Sequence, residues 1–315
     1  MQHYIARRLI QAVFSLFVLS VVVFLLLRIA PGADPALLRC GLSCTPEKLE
    51  ALREEMGLKD NYLVQYGTWA RQLVTGSLGS DWNGGPVATE LQRRLPVTAE
   101  LLVITVLATV AIGVPFGIIS AVYRNSPADY SARFTAILGL AVPSFWLATL
   151  VLIIPQTLWN YAPPLTENIG FFDDPWDNLR QYVPPAIVLG AVSAAGIMRL
   201  TRSSMLEVLR QDYIRTARSK GLRERIIIGR HAMKNSLIPV VTVLGLQVAA
   251  LFGGAVIIEN IFNLPGLGNY ELGALLRKDF QVAQTLTLYI GVIVVLLNLV
   301  VDILYGSLDP RIRYA

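Results

Sequence analysis

RLTRSSMLEVLRQDYIRTARSKGLRERIIIGRHAMKNSLIP, residues 199–239, is a basic segment that lies between two strongly apolar runs. Its position makes residues 199–234, here called the basic loop, a loop of a membrane protein, and its many helix formers argue against a passive linker. Gly221 interrupts the helical pattern, which predicts a short helix, a tight turn and a second short helix over 222–233. Two short helices at a membrane face form a docking surface for another protein. The apolar positions of the first helix are Met205, Leu206, Leu209, Tyr213 and Ala217.

The composition places the rest of the chain in a membrane as well. Hydrophobic residues make up 54% of the 315 residues, and the mean hydropathy is +0.54. A soluble domain of this size does not need so much apolar surface. The net charge of +5 comes from cations concentrated in a few loops, which fits membrane topology better than nucleic-acid binding. The charged start is followed by a long apolar run without a small-x-small cleavage site, so we expect a retained first helix.

Six apolar runs are long enough to cross a bilayer, because about 20 helical residues span its core. The third run contains Pro143 and Pro155, so we expect kinks in it. The fourth run is rich in glycine and alanine, which predicts a helix packed inside the bundle. The six runs cover residues 9–27, 101–123, 134–158, 181–198, 235–258 and 280–301.

The charges of the loops orient these six spans. The basic loop carries ten cations and three acids, whereas the loop over 159–183 is acidic. The positive-inside rule therefore places the basic loop and both chain termini in the cytoplasm. The sequence predicts an all-α integral membrane protein with six transmembrane helices. Its organisation is an N-terminus with helix 1 over 1–32, an external insert over 33–96, and a core with helices 2–6 over 97–315.

The external insert is predicted to be helical. Thr45 and Pro46 are typical of a helix start, and Gly57 of a helix end. A second helix is expected to begin at Asn61. Its apolar stripe either packs on the membrane surface or the rest of the insert, or contacts a partner outside the membrane. The stripe consists of Tyr62, Tyr66, Trp69 and Leu73.

Cys40 and Cys44 are the two cysteines of the chain, and both fall in the insert on the oxidising side of the membrane. Their spacing allows a disulfide that closes a small loop, and it equally allows two free thiols. A metal site is not expected, because the insert contains no histidine.

The motifs of an energy-converting or catalytic protein are missing from the sequence. It has no G-x4-G-K-[ST] phosphate loop and no H-E-x-x-H motif. The only histidines, His3 and His231, lie near the cytoplasmic face, so no Ser/His/Asp set can form inside the bilayer. We expect no enzyme activity and no cofactor.

Polar side chains at membrane depth are few. This scarcity argues against a proton- or sodium-coupled carrier and against a charge-selective channel. Asp302 is expected to form a structural ion pair with Arg199 or Arg202, and a role in translocation is the alternative. The main polar candidates are Gln156, Gln247, Asn298 and Asp302.

The segment that follows the fifth span makes a sharp re-entry at Pro-Gly and Leu-Gly, and a short helix is expected over 270–276. It is either an ordinary connecting loop or an external gate over a pathway. The candidate gate residues are Glu259, Phe262, Pro265, Gly266 and Gly268.

The basic loop resembles the ATPase-coupling loop of binding-protein-dependent ABC import permeases, whose motif is written EAA-x3-G. The motif reads Arg215-Thr216-Ala217-x3-Gly221 here, with Arg in place of Glu and Thr in place of Ala. The variant DYIRTARSKGL is similar to the dipeptide/oligopeptide/nickel branch. Further stretches resemble the same branch: ARRL at 6–9, GSLG at 76–79, PSFW at 143–146, E-x-I-F-x-x-P-G-L-G at 259–268, and NLVVDILYG at 298–306.

The resemblance implies a type I ABC importer permease fold, and the large insert after the first helix suggests the first of two paired permeases. The implied partners are a second homologous permease in a heterodimer, two cytoplasmic ATPases and an external solute-binding protein, all at a prokaryotic cell membrane. The implied mechanism is that closure of the ATPase pair pushes the coupling loops and turns the pathway outward. The expected coupling residues are Asp212, Tyr213, Arg215, Thr216, Ala217, Lys220 and Gly221.

The resemblance leaves the solute open. Related permeases carry peptides, nickel chelates, glutathione and some oligosaccharides, and selection lies largely in the binding protein. Peptide is the expected solute. Two alternatives from other functional classes are a stand-alone channel or carrier and a membrane-embedded enzyme.

Overall fold

The computed structural model describes residues 2–29, 34–40, 44–81, 84–164 and 168–308. These residues are helical apart from loops and a single isolated β-bridge between Ser80 and Pro86. The helices are α1 (Gln2–Ile29), α2 (Pro35–Cys40), α3 (Pro46–Glu55), α4 (Tyr62–Val74), α5 (Val87–Val122), α6 (Pro127–Ala141), α7 (Ser144–Trp159), α8 (Pro175–Val208), α9 (Asp212–Ser219), α10 (Glu224–Ile226), α11 (Met233–Ser236), α12 (Ile238–Ile261), α13 (Leu267–Leu276) and α14 (Phe280–Leu308), with a π-helical turn (Ile227–Ala232) between α10 and α11.

The chain forms two compact units. The first unit contains residues 1–97 and 265–315, and the second contains residues 98–264. In the first unit α1 packs along α14, and α13 packs on α14. In the second unit α8 is the central helix, with α6, α7, α11 and α12 packed against it.

Helices α1, α5, α8, α12 and α14 are each long and apolar enough to cross a membrane. Helices α6 and α7 together make a sixth candidate, but they meet at an angle of 104°. The six expected spans correspond to these elements, with a break in the third span where a kink was expected. Val142 is extended (φ −85°, ψ 124°) because the ring of Pro143 disfavours helical geometry in the preceding residue.

The crossing of α5 and α8 depends on glycine. A Cβ atom on Gly117 would lie 2.7 Å from the carbonyl oxygen of Met198 and 2.6 Å from Cβ of Thr201. Gly113 faces α8 in the same way, since its Cβ would lie 2.8 Å from the carbonyl oxygen of Ala194. The backbones therefore approach closely, as small residues allow in membrane helices. The expectation that the fourth span lies inside the bundle is confirmed.

Two helices extend further than the sequence pattern predicted. Helix α5 begins at Val87 rather than after Pro96, so the end of the predicted insert is continuous with the second span. Val87 and Leu91 are buried against α13 and α14, which extends the helix through apolar packing. Helix α8 likewise continues to Val208, ten residues into the basic loop, because Met205 is fully buried in a core that it shares with later residues of that loop.

The insert has the two helices that its capping residues predicted. The Thr45 hydroxyl accepts a hydrogen bond from the Lys48 amide at the start of α3, and the Asn61 side chain accepts one from the Leu63 amide at the start of α4. Gly57 ends the first helix with φ +62°.

The aromatic stripe of α4 packs against α1. The rings of Tyr66 and Trp69 lie 5.5 and 6.0 Å from the ring of Phe24, and the Tyr66 hydroxyl is 2.8 Å from the Ser20 hydroxyl. These two residues pack within the chain, but against the first span rather than the membrane surface or the rest of the insert that was predicted, and Tyr62 is exposed. The insert is thereby fixed to the first span.

Helix α2 is held at both of its ends. Arg53 of α3 donates from Nε and Nη2 to Oδ2 of Asp34, at 3.0 and 2.7 Å. At the other end Cys40 is joined to Cys44 by a disulfide. Burial alone would raise the pKa of Asp34, but the hydrogen bonds from Arg53 and from two backbone amides outweigh it and hold that pKa below its ordinary value.

Candidate coupling surface

The surface is built around α9, a short amphipathic helix in the middle of the basic loop. Its inner face carries Ile214, which is fully buried, and Ala217. Its outer face carries Asp212 and Arg215, whose side chains are 94% and 73% exposed and form an ion pair at 3.3 Å. Such an exposed pair contributes only about 0–1 kcal/mol. The helix is therefore held by its apolar face, and its charges are available to another molecule.

The buried face of α9 closes a core to which several segments of the second unit contribute. Ala121 comes from the end of α5 and Met205 from the end of α8. Ile227 and Ala232, from the π-helical turn, complete the core. Helix α9 thus packs directly on the ends of two candidate spans.

Helix α9 ends in a Schellman motif at Gly221. The Leu222 amide donates to the Ala217 carbonyl at 3.3 Å, and the Gly221 amide donates to the Arg218 carbonyl at 2.9 Å. Gly221 has φ +77°, a conformation that favours glycine. The expected order of short helix, glycine turn and second helix is confirmed.

The boundary of the first short helix was predicted wrongly. The pattern assigned Met205 and Ala217 to one helix, but the structure places Met205 in α8 and Ala217 in α9, with a turn at residues 209–211. Met205 and Ile214 meet in the same core from two directions, which a single straight helix does not permit.

Two sets of polar contacts join the arms of the turn. Arg218 donates from Nε to Oε1 of Glu224 at 2.6 Å, across the Gly221 turn. The Tyr213 hydroxyl accepts a hydrogen bond from Nδ2 of Asn235 at 2.9 Å. The remaining expected residues lie on the exposed side of α9, where the Thr216 hydroxyl donates to the Asp212 carbonyl and Lys220 caps the helix end.

A buried ion pair close to this surface was not predicted from the sequence. Arg202 of α8 donates from Nε and Nη2 to the two carboxylate oxygens of Asp129, each at 2.9 Å. The Asp129 side chain is fully buried, and it also accepts from the Ser120 hydroxyl and from the Asn125 amide. These contacts tie the ends of α5 and α8 to the start of α6. The signal available in the sequence was that Asp129 is the only acid in the short loop over 123–133.

The ion pair expected for Asp302 involves a side chain that lies outside the described residues. Of its two expected partners, Arg202 pairs with Asp129, and Arg199 is exposed. The role of Asp302 stays a prediction.

The candidate gate residues are distributed over both units. Glu259 and Phe262 belong to the second unit and are fully buried at the end of α12, where the Thr98 hydroxyl donates to Oε1 of Glu259 at 2.6 Å. Pro265, Gly266 and Gly268 belong to the first unit, at the start of α13. A gating role stays a prediction.

Comparison with known proteins identifies the family. Residues 113–314 match the family described as binding-protein-dependent transport system inner membrane component. The chain belongs to this family. Residues 1–102 match the corresponding N-terminal membrane component. The protein is therefore a permease subunit of an ABC importer, as the basic loop indicated.

The sequence similarity to known permeases extends over the whole length of the chain. It is 39% identical to the dipeptide transport system permease protein DppB of Alkalihalophilus pseudofirmus, with 99% of each chain covered. It is 36% identical to the oligopeptide transport system permease protein AppB of Bacillus subtilis, with 100% of each chain covered, and 36% identical to DppB of Escherichia coli.

A solved structure supports the fold. A chain of the inward-facing MetNI methionine ABC transporter superposes with a TM-score of 0.56, covering 70% of this permease and 96% of that chain. The sequence identity is 16%, so this likeness concerns the fold alone. The expected all-α fold of a type I importer permease is confirmed.

Proposed function

We propose that the permease forms half of the membrane pathway of an ATP-driven importer for short peptides. The supporting observation is full-length similarity to permeases named for dipeptide and oligopeptide transport. A similarity that includes the insert as well as the spans favours the same class of solute. Nickel chelates, glutathione and oligosaccharides are the competing solutes.

The geometry of α9 supports coupling to an ATPase. The helix is anchored through Ile214 and Ala217 and exposes Asp212 and Arg215. A short exposed helix of this kind fits a groove on a partner and transmits a rigid-body push. The core beneath it passes the push to the ends of α5 and α8. We assign the coupling role to Asp212, Tyr213, Arg215, Thr216, Ala217, Lys220 and Gly221.

The proposed assembly contains a second, homologous permease, two cytoplasmic ATPases and an external solute-binding protein. Both termini and the basic loop lie in the cytoplasm, and the insert over 33–96 lies outside, since the loops that carry most cations then face inward. The core over 97–315 holds the other spans, and the insert after the first span favours the first position of the permease pair.

Tagged permease purified from its native membrane in a mild detergent tests the assembly. We expect mass spectrometry to find a second six-helix permease and an ATPase with a Walker motif. Recovery of the chain alone, or only with itself, in a detergent that preserves other complexes would contradict the proposal.

Proteoliposomes that contain the purified complex and its binding protein then test the solute. We expect ATP-dependent uptake of dipeptides and tripeptides, with no uptake by the permease alone. Uptake of a nickel chelate, glutathione or an oligosaccharide in place of peptides would contradict the proposed class of solute. Transport by the permease alone would contradict coupling to an ATPase.

A further inference from the structure

A fully buried carboxylate joins three helices of the second unit next to the coupling surface. Oδ1 of Asp129, near the start of α6, accepts hydrogen bonds from Nε of Arg202 and from the Ser120 hydroxyl. Its Oδ2 accepts from Nη2 of Arg202 and from the Asn125 amide. The two oxygens of a carboxylate offer about four acceptor positions, and all of them are occupied here. These four residues, called the Asp129 joint below, therefore connect helices and leave no acceptor for a ligand.

The Asp129 joint and the core below α9 are built on the same two helix ends. Ser120 directly precedes Ala121 in α5, and Arg202 lies three residues before Met205 in α8. Ala121 and Met205 belong to the core that α9 closes. Residues three apart in a helix lie on the same face, so the joint is one turn away from that core. Among the residues that the structure describes, this core includes none from α6.

The apolar contact between α6 and α8 consists mostly of alanine. Its buried residues are Ala132 and Ala136 of α6 with Ala195 and Met198 of α8. Small residues let two helices approach closely. Their side chains form shallow ridges that interlock little, so they resist sliding along the helix axis only weakly. The bidentate contact between Arg202 and Asp129 is directional, and it therefore fixes the position of α6 along α8.

Stability alone does not account for a buried pair of this kind. Charges lose hydration when they are buried, so replacement of a buried ion pair by apolar residues of similar volume is often neutral or stabilising. The best-supported role of such pairs is to select one register among several. In this chain the register is that of α6, which begins the broken third span and meets α7 at 104°. Helix α7 in turn packs on α8 and α12.

We propose that Asp129 is a positioning residue for transport: its contact with Arg202 fixes the register of α6 on α8, so that the third span follows the ends of α5 and α8 when an ATPase displaces α9. This inference rests on the proposed coupling to an ATPase and adds a second link to it. Helix α9 packs on the ends of α5 and α8, and the Asp129 joint attaches the third span to those ends. Without the joint, part of the displacement is lost as sliding between α6 and α8.

The triple variant Ser120→Ala/Asp129→Leu/Arg202→Met separates register from stability. It removes both charges together with the hydroxyl that would lose its acceptor, and Asn125 is exposed, so water can replace the carboxylate at its amide. We expect the melting temperature of the purified permease to be unchanged or raised. The complete importer in proteoliposomes should still hydrolyse ATP. The number of peptides imported per ATP hydrolysed should fall about fivefold or more, as loss of coupling between two sites does.

Two single variants complete the comparison. Arg202→Lys keeps the positive charge but replaces the planar fork with one ammonium group, which cannot reproduce the two parallel contacts to Asp129. We expect it to insert normally and to lower the number of peptides per ATP, though less than the triple variant does. The control Arg133→Met removes an exposed cation of α6 one turn from Asp129. It should leave both the melting temperature and the number of peptides per ATP unchanged.

A triple variant that keeps its melting temperature and imports as many peptides per ATP as the unaltered permease would overturn the inference, because the pair would then be structural only. An equal loss in Arg133→Met would also overturn it, since the loss would then follow the charge of α6 rather than the joint. If the triple variant fails to insert, Arg202→Lys decides, and an unchanged number of peptides per ATP in that variant overturns the inference. In each of these cases the proposed function stands, whereas it fails itself if the unaltered complex imports no peptide.

Discussion

Replacement of Gly221 by residues with different tolerance of positive φ tests the coupling surface. Gly221 has φ +77°, and no atom lies within 4 Å of a Cβ placed on it. A new side chain therefore meets open space, and its cost comes only from its own backbone. For an ordinary L-residue this cost is about 1–2 kcal/mol, and a β-branched residue lies at the upper end.

This magnitude is enough to disturb the turn without unfolding the protein. A cost of 1–2 kcal/mol lowers the population of the turn relative to other conformations roughly 5- to 30-fold. Global stabilities of about 5–15 kcal/mol are larger, so the permease still inserts. Asparagine is the matched control, because it visits this conformation readily. The chain itself places Asn125, Asn160 and Asn263 at positive φ.

The assay is ATP-driven peptide uptake by the complete complex in proteoliposomes, normalised to the amount of inserted permease. We expect uptake to fall in the order Gly221, Gly221→Asn, Gly221→Ala, Gly221→Val, with equal insertion throughout. Normal uptake by Gly221→Val would refute the coupling role of the turn. Equal loss in Gly221→Asn and Gly221→Val would show that something other than positive φ matters at this position.

Three further changes test the contacts that hold the helices of each unit together. Asp129→Ala leaves the guanidinium of Arg202 without its carboxylate, so denaturant unfolding should show a loss of about 3 kcal/mol in the stability of the purified permease. This value is near the low end for a broken buried pair, because the Arg202 side chain is 21% exposed. An unchanged stability would mean that the pair is dispensable. Gly117→Ala should lower the stability of the permease by about 1–3 kcal/mol, because the new methyl group forces α5 and α8 apart. The control Gly253→Ala, where the space for a Cβ is open, should leave stability unchanged or raise it slightly. Equal effects of the two changes would show that the close approach of the helices is not the cause. Because the pKa of Asp34 is lower in the folded state, its stabilisation is present above the ordinary carboxyl pKa and is lost as the pH falls through the lowered value. The protection factors of the α2 amides, which correct hydrogen exchange for the pH dependence of the intrinsic rate, should therefore fall over this range in the native insert and much less in Asp34→Asn.

Local chemistry determined what the sequence predicted well. Thr45 and Asn61 cap helices because their side chains satisfy the first free amides, wherever the helices later pack. Gly221 ends α9 because its backbone tolerates a conformation that other residues avoid. The spans followed from length and apolarity, since a bilayer imposes both. These features depend on few neighbouring residues, so a single sequence reveals them.

The features that were missed depend on residues distant in the chain. Asp129 and Arg202 are far apart in sequence, and only the fold brings them into contact at 2.9 Å. The early start of α5 depends on burial of Val87 against α13 and α14, and a local pattern does not contain that information.

The interactions that fix the position of α9 differ from the exposed charges that a docking partner would contact. The exposed pairs Asp212–Arg215 and Arg218–Glu224 contribute about 0–1 kcal/mol each, so they do not determine the position of α9. Its position comes from the buried Ile214, for which full burial contributes about 1.5–3 kcal/mol. Substitution of the exposed charges should therefore change docking without changing the fold, whereas truncation of Ile214 should release the helix while leaving the docking charges in place.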